Sequence, residues 1–195
     1  MQKLERGDLW TLERYAGERG RFRAEVMAHK KSRRVHLGPH CTLLFEDRIT
    51  IQYQVQEMLR TERIFEGTPI QDELDEYNPL IPDGGNLKAT MMLEYADAEE
   101  RKQALAAMIG IEDRVWMRVA GGFEPVFAIA DEDLQRATED KTSSVHFLRF
   151  EFAPAMRIAL GDNAGLSAGI DHRAYRHALD PLPDAVRASL IADFA

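Results

Sequence analysis

Between Lys30 and Phe65 the chain reads KKSRRVHLGPHCTLLFEDRITIQYQVQEMLRTERIF, and the spacing of its apolar residues changes there from two to about four across one short turn. Cys41, Leu43 and Phe45 alternate with Thr42, Leu44 and Glu46, the pattern of a strand with Cys41 on its apolar side. After Glu46-Asp47-Arg48 the pattern is helical. Ile51, Val55, Met58 and Leu59 form one stripe, and Gln52, Gln56, Arg60 and Arg63 form another, with Tyr53 and Glu57 one turn apart beside it. A helix from Ile49 to Phe65 would be about 25 Å long. Its glutamine-rich stripe is unusual, because a merely solvated face more often carries Lys and Glu.

The remaining segments do not alternate regularly between helix and strand. Asp8 is a candidate N-cap for a short helix carrying Leu9, Leu12 and Tyr15, which Gly17 and Gly20 interrupt. A second helix is expected from near Gly20, burying Phe22 and Val26, so that residues 1–36 form a basic helical segment packed on a single domain spanning 1–195. Leu37-Gly38-Pro39 breaks it. Downstream, Glu66-Gly67-Thr68-Pro69 closes the long helix, and a short acidic helix (Gln71 to Tyr77), a strand (Lys88 to Tyr95) and a helix (Ala98 to Ile109) ended by Gly110 follow. Val115 to Ala120 and Pro125 to Ala130 suggest a hairpin around Gly121-Gly122. Asp131 to Glu139 suggests a charged helix, Ser144 to Phe152 a strand, and Met156 to Leu160 with Leu166 to Ile170 a second hairpin. Val186, Leu190 and Phe194 align on an amphipathic helix from Pro183. Adjacent strands joined by tight turns favour an α+β fold, a mostly antiparallel sheet with flanking helices, over a doubly wound parallel sheet.

At 195 residues with net charge -8, the chain can build a core unaided, and its charge argues against nucleic acid or an anionic membrane as partner. The charge is uneven. From Arg14 to Arg34 eight basic residues face only Glu18 and Glu25, a net +6 that leaves about -14 for the rest. Arg23, Lys30, Arg33 and Arg34 are the candidates for docking an acidic partner, although such a segment is as readily a solvated face paired with the protein's own carboxylates. One cysteine forms no intramolecular disulfide, and MQKLERGDLW has no apolar core of a secretory signal, so a cytoplasmic location is expected.

Several constellations invite chemistry. Gly165-Leu166-Ser167-Ala168-Gly169 matches the nucleophile elbow but lies in a strand-like context with Asp171 and His172 too close to serve as separate triad partners. His36, His40 and a more distant His146 are candidate ligands of a single metal ion. In an extended segment His36 and His40 would stand about 13 Å apart, so the chain would have to fold back at Gly38-Pro39. Alternation with Leu148 and Phe150 equally suits His146 as a buried, hydrogen-bonded histidine. Glu57, Arg60, Glu62 and Arg63, with Arg149 and Glu151, could form a buried charged network that binds a polar ligand or merely ties helix to sheet.

RRVHLGPHCTLLFED, QVQEMLRTERI, IQDELDEYNPLIPDGGNLKATMMLEY and ADEDLQRATEDKTSSVHFLRFEF together resemble the blocks of an uncharacterised bacterial domain family of unknown function. The resemblance runs from about Leu9 onward. That family is typically encoded beside rubrerythrin and a heterodisulfide-reductase-like iron–sulfur protein, which implies a cytoplasmic role with these partners in peroxide or oxygen stress. Two readings of function follow. One is an accessory protein docking such partners through its basic segment. The other is a metal- or small-anion-binding protein or enzyme with a site around His36, His40, Glu57, Arg60 and His146.

Overall fold

The computed structural model describes residues 2–132, 134, 136–138 and 140–194. Helix α1 runs Leu12–Lys30 without a break. The Thr11 hydroxyl caps it by accepting from the Arg14 amide, and Asp8 ends a 3-10 turn upstream. The interruption expected at Gly17 and Gly20 does not occur. Each glycine inside a helix costs about 1 kcal/mol relative to alanine. Burial of Tyr15, Phe22 and Val26 against Tyr53 offsets that cost. Nor is the whole segment to residue 36 helical, since Arg34–His36 is strand β1.

β1 turns back into β2 (Cys41–Glu46), with His36 opposite Thr42. Gly38 makes the turn at φ 74°, a left-handed conformation that favours glycine, and a Cβ there would stand 2.5 Å from the His177 ring. Asp47 then caps α2 (Arg48–Glu62), accepting from the amides of Ile49 and Thr50. α2 ends at Arg63, itself left-handed at φ 57°, and α3 (Gly67–Tyr77) follows at once, with Pro69 in its first turn. The remaining elements are β3 (Asn86–Leu93), α4 (Ala98–Ala107), β4 (Val115–Val119), β5 (Val126–Phe127), β6 (Ile129–Ala130), β7 (Val145–Glu151), α5 (Pro154–Gly161), β8 (Leu166–His172), β9 (Tyr175–Leu179) and α6 (Asp184–Ile191).

The fold is α+β and every strand pairing is antiparallel. The strands divide into two sheets, ordered β1-β2-β3-β7-β6 and β5-β4-β8-β9. Leu43, Phe45, Met91 and Phe150 from the first share one core with Met117, Leu166 and Ala168 from the second, with α4, α5 and α6 closing it. The expected hairpin of β4 with Pro125–Ala130 is only half realised. After β5 the buried Ala128 carries the chain across to β6 in the other sheet.

Two expectations are corrected. Met156 to Leu160 lies in helix α5, not a strand: Pro154 suits a first helical turn, and Ile158 is 66% exposed while Leu160 is buried. The hairpin partner of β8 is β9, whose outward residues are mostly exposed and gave no apolar alternation, and β4 pairs with its other edge. The charged helix expected from Asp131 to Glu139 includes Asp133, Gln135 and Glu139, which lie outside the described residues; those described in that stretch are not helical.

Candidate functional site

Glu57 does not meet Arg149. It projects from α2 toward α1, where Arg19 Nε and Nη2 each donate at 2.7 Å and the Tyr15 hydroxyl donates at 2.6 Å. Arg19 holds its carboxyl down to about 2 against the cost of burial, with Tyr15 adding to the effect. Burial and the same carboxylate push the Tyr15 hydroxyl up. This satisfied triad clamps two helices. Arg60 and Arg63 are exposed, and the charge of Arg60, one turn beyond Glu57, adds to the lowering of that carboxyl. Arg149 lies across the molecule on β7, donating to both oxygens of Glu132 at 2.7 Å and to Glu151. The single charged network read from the sequence is therefore two separate clusters.

The histidines are also kept apart. The segment does fold back at Gly38-Pro39, and His36 and His40 both approach Glu94. Thr42 donates to Glu94 Oε2 at 2.7 Å, which leaves its oxygen to accept from His36 Nδ1 at 3.1 Å. His40 instead donates to the Glu94 backbone carbonyl at 3.0 Å and stacks on Tyr95, ring centres 4.0 Å apart. His146 is in β7, fully buried. Among the described residues no three His, Cys, Asp or Glu side chains are placed to hold a metal ion. Cys41 is core, and burial, then Glu94, pushes its thiol up to about 12. Ser167 is not in an elbow. It lies within β8 and its hydroxyl donates to Asp180 at 2.5 Å.

The basic segment separates into an internal and an external set. Arg33 is 1% exposed and belongs to the core, so it is not a docking residue. Arg19 is spent on Glu57 and Arg21 on Glu18. Arg23 donates to the Tyr53 hydroxyl at 3.1 Å, and the Lys30 ammonium stands 5.9 Å from the centre of the same ring. Tyr53 thus gathers two cations seven residues apart in α1 onto one side, and Lys31 and Arg34 continue beyond them, exposed. Arg23, Lys30, Lys31 and Arg34 form no ion pair with any described carboxylate.

The family model described as "Protein of unknown function (DUF3501)" matches residues 3–194. The chain belongs to the DUF3501 family. That agrees with the resemblance read from the sequence to a family of unknown function. A crystal structure described as a novel protein of unknown function, from Burkholderia pseudomallei K96243, is 52% identical and similar over 100% of both chains, with a TM-score of 0.93. Among curated proteins nothing matches. Among the described residues no helix is long and apolar enough to cross a membrane.

Two buried polar systems of this DUF3501 protein escaped the sequence reading. Arg33 donates to the carbonyls of Phe45, Glu46 and Ser189 and to both oxygens of Asp193, and pairs with Asp47 at 3.3 Å. Asp47 also accepts from His29 Nε2 at 2.5 Å. Burial pushes the Asp193 carboxyl up and Arg33 only partly counters it; at Asp47 burial is outweighed by Arg33, Thr50 and His29, which hold it low. The second system is a line of three side chains: Asp131 accepts from His146 Nδ1 at 2.6 Å, and the other ring nitrogen lies 2.8 Å from the Thr142 hydroxyl. The order acid–imidazole–hydroxyl is that of a nucleophilic triad. Thr142 is 1% exposed and lies 3.1 Å from Glu112, so the line is closed to solvent and works as an internal brace. Apolar alternation in β7 pointed to a buried His146. Nothing in the sequence pointed to its partners, Asp131 from 15 residues upstream and Thr142 from the segment leading into the strand.

Proposed function

We propose that this DUF3501 protein is an accessory protein that docks an acidic partner through the face built by Arg23, Lys30, Lys31 and Arg34. The single observation that carries the reading is that these cations, on a protein of net charge -8, are left without carboxylate partners among the described residues while the neighbouring Arg19 and Arg33 are fully engaged. A compact cationic face on an acidic body orients an approaching anionic surface and speeds encounter. Rubrerythrin and the iron–sulfur protein of the resemblance are the partners we propose, in a cytoplasmic response to peroxide or oxygen.

The test uses purified rubrerythrin and the iron–sulfur protein as separate captured partners. Arg23→Glu with Arg34→Glu should abolish capture of at least one of them without changing the far-ultraviolet spectrum. Capture by the native protein should weaken as salt rises. Undiminished capture of both partners by the charge-reversed protein would overturn the proposal.

A further inference from the structure

The unusual glutamine stripe of α2 has a definite use. Gln52 donates to the carbonyl of Asp8 at 2.8 Å. Gln56, fully buried, accepts from the Trp10 amide at 2.6 Å and donates to the Trp10 carbonyl at 3.3 Å. Residues 8–10 are thereby held along α2 like an added strand, although they form no sheet. The Trp10 ring is fixed in turn, 5.1 Å from Phe22, with the Arg14 guanidinium 5.0 Å from its centre. A rigid wall standing off a helix leaves a gap between them.

That gap is a cavity of about 610 Å³ between the N-terminal segment, the end of α2 and the start of α3. Its size falls within the range of small-molecule sites, on the order of 300–1,000 Å³. Leu9, Trp10, Leu12, Leu59, Ile64 and Ile70 line it, and Phe65, 74% exposed, stands at its edge. The hydrophobic part of the lining is aliphatic apart from Trp10 and Phe65, with Gly7 and the Thr11 hydroxyl beside it, which suits a flexible alkyl body better than a flat polar ring. Arg6 is the one ionisable group in the lining. Its guanidinium lies over Gly67, with Nη2 2.7 Å from where a Cβ would be, so the lack of a side chain there gives it room. Arg6 pairs with no described carboxylate, and the nearby Asp8 is taken by Arg48 at 2.6 Å. An unneutralised forked cation beside an apolar cavity recognises one planar anionic head.

We infer that this cavity binds a medium-chain alkyl carboxylate, the chain between Trp10, α2 and α3 and the carboxylate on Arg6. The site is separate from the basic docking face and does not depend on it. The experiment is isothermal calorimetry of the full chain with decanoate below its micelle concentration, and with decanol as the uncharged comparator. Decanoate should bind saturably at one site per chain, and decanol more weakly. Arg6→Gln should weaken decanoate by about tenfold and leave decanol unchanged. Gly67→Ala, which keeps the charge but displaces the guanidinium, should weaken decanoate in the same direction. No saturable heat with decanoate would overturn the site. Equal affinity for decanol, or an Arg6→Gln protein that binds decanoate undiminished, would overturn the assignment of the carboxylate to Arg6.

Discussion

Arg33 and Asp193 lie 160 residues apart in the sequence, and Arg33 Nη2 donates to Asp193 Oδ2 at 2.5 Å. Both side chains are almost wholly removed from solvent. The pair ties the turn after α1 to the turn after α6, and the carbonyls of Phe45 and Glu46 bring β2 into the same knot. A buried guanidinium can be kept there only because every face of its fork has an acceptor.

Asp193→Ala should therefore destabilise the protein by about 3–5 kcal/mol, because Arg33 remains buried with its main counter-charge gone. Arg34→Glu, one residue away but exposed, should change stability by no more than about 0.5 kcal/mol. Urea midpoints of the two variants test the contrast, and similar midpoints would contradict it.

Glu57 gives a pH-dependent prediction. Its carboxyl falls from an ordinary 4.5 to about 2 in the folded protein. A lowered acid contributes stability above its unfolded value and loses it as pH falls through the folded value. The stability gap between native protein and Glu57→Gln should thus be full above pH 4.5 and shrink toward pH 2. Arg19 and Glu57 are partly exposed, so screening should limit the gap to about 1 kcal/mol. Denaturation curves of both proteins at three pH values would measure it.

His146→Ala should cost about 3 kcal/mol, since it empties a fully buried ring position and removes one hydrogen-bond partner each from Asp131 and Thr142. His40→Ala removes only a stack on Tyr95 and one hydrogen bond to a carbonyl, and should cost about 1 kcal/mol. Thermal unfolding of the two variants separates a buried brace from a surface stack.

At Gly38 two penalties coincide, the left-handed backbone and the His177 ring beneath it. Gly38→Ala should destabilise by about 2–3 kcal/mol. Adding His177→Ala should restore part of that loss, since it removes the collision and leaves the backbone strain. A double-mutant cycle reads the division directly.

How far the sequence could be read depended on how local the cause was. The strand at Cys41–Glu46 and helix α2 were legible because each declares itself by a short-range period. Helix α1 was misread as two because glycine propensity is local, whereas burial of Tyr15 and Phe22 depends on partners elsewhere. α5 was mistaken for a strand because eight residues hold too few turns for the period to emerge. At the candidate sites the limits were sharper. Residue types named Arg33 as basic and therefore a surface candidate; only the arrival of Asp193 makes it a core residue. Glu57 and Arg149 carry complementary charges but face opposite ways. The Gln52 and Gln56 stripe was visible as an anomaly, while its partners are backbone groups, which no residue pattern reveals.

The passage of the chain from β5 through Ala128 to β6 has a mechanical meaning. One residue spans about 3.5 Å at full extension, so the two sheets are stitched there with no slack. Neither can slide along the other without tearing that stitch. A second tie stands at the Gly38 turn, where the Tyr175 hydroxyl of β9 donates to the Leu37 carbonyl and accepts from the His40 amide. The two sheets are thus pinned at two places, once by the covalent chain and once by a single phenol.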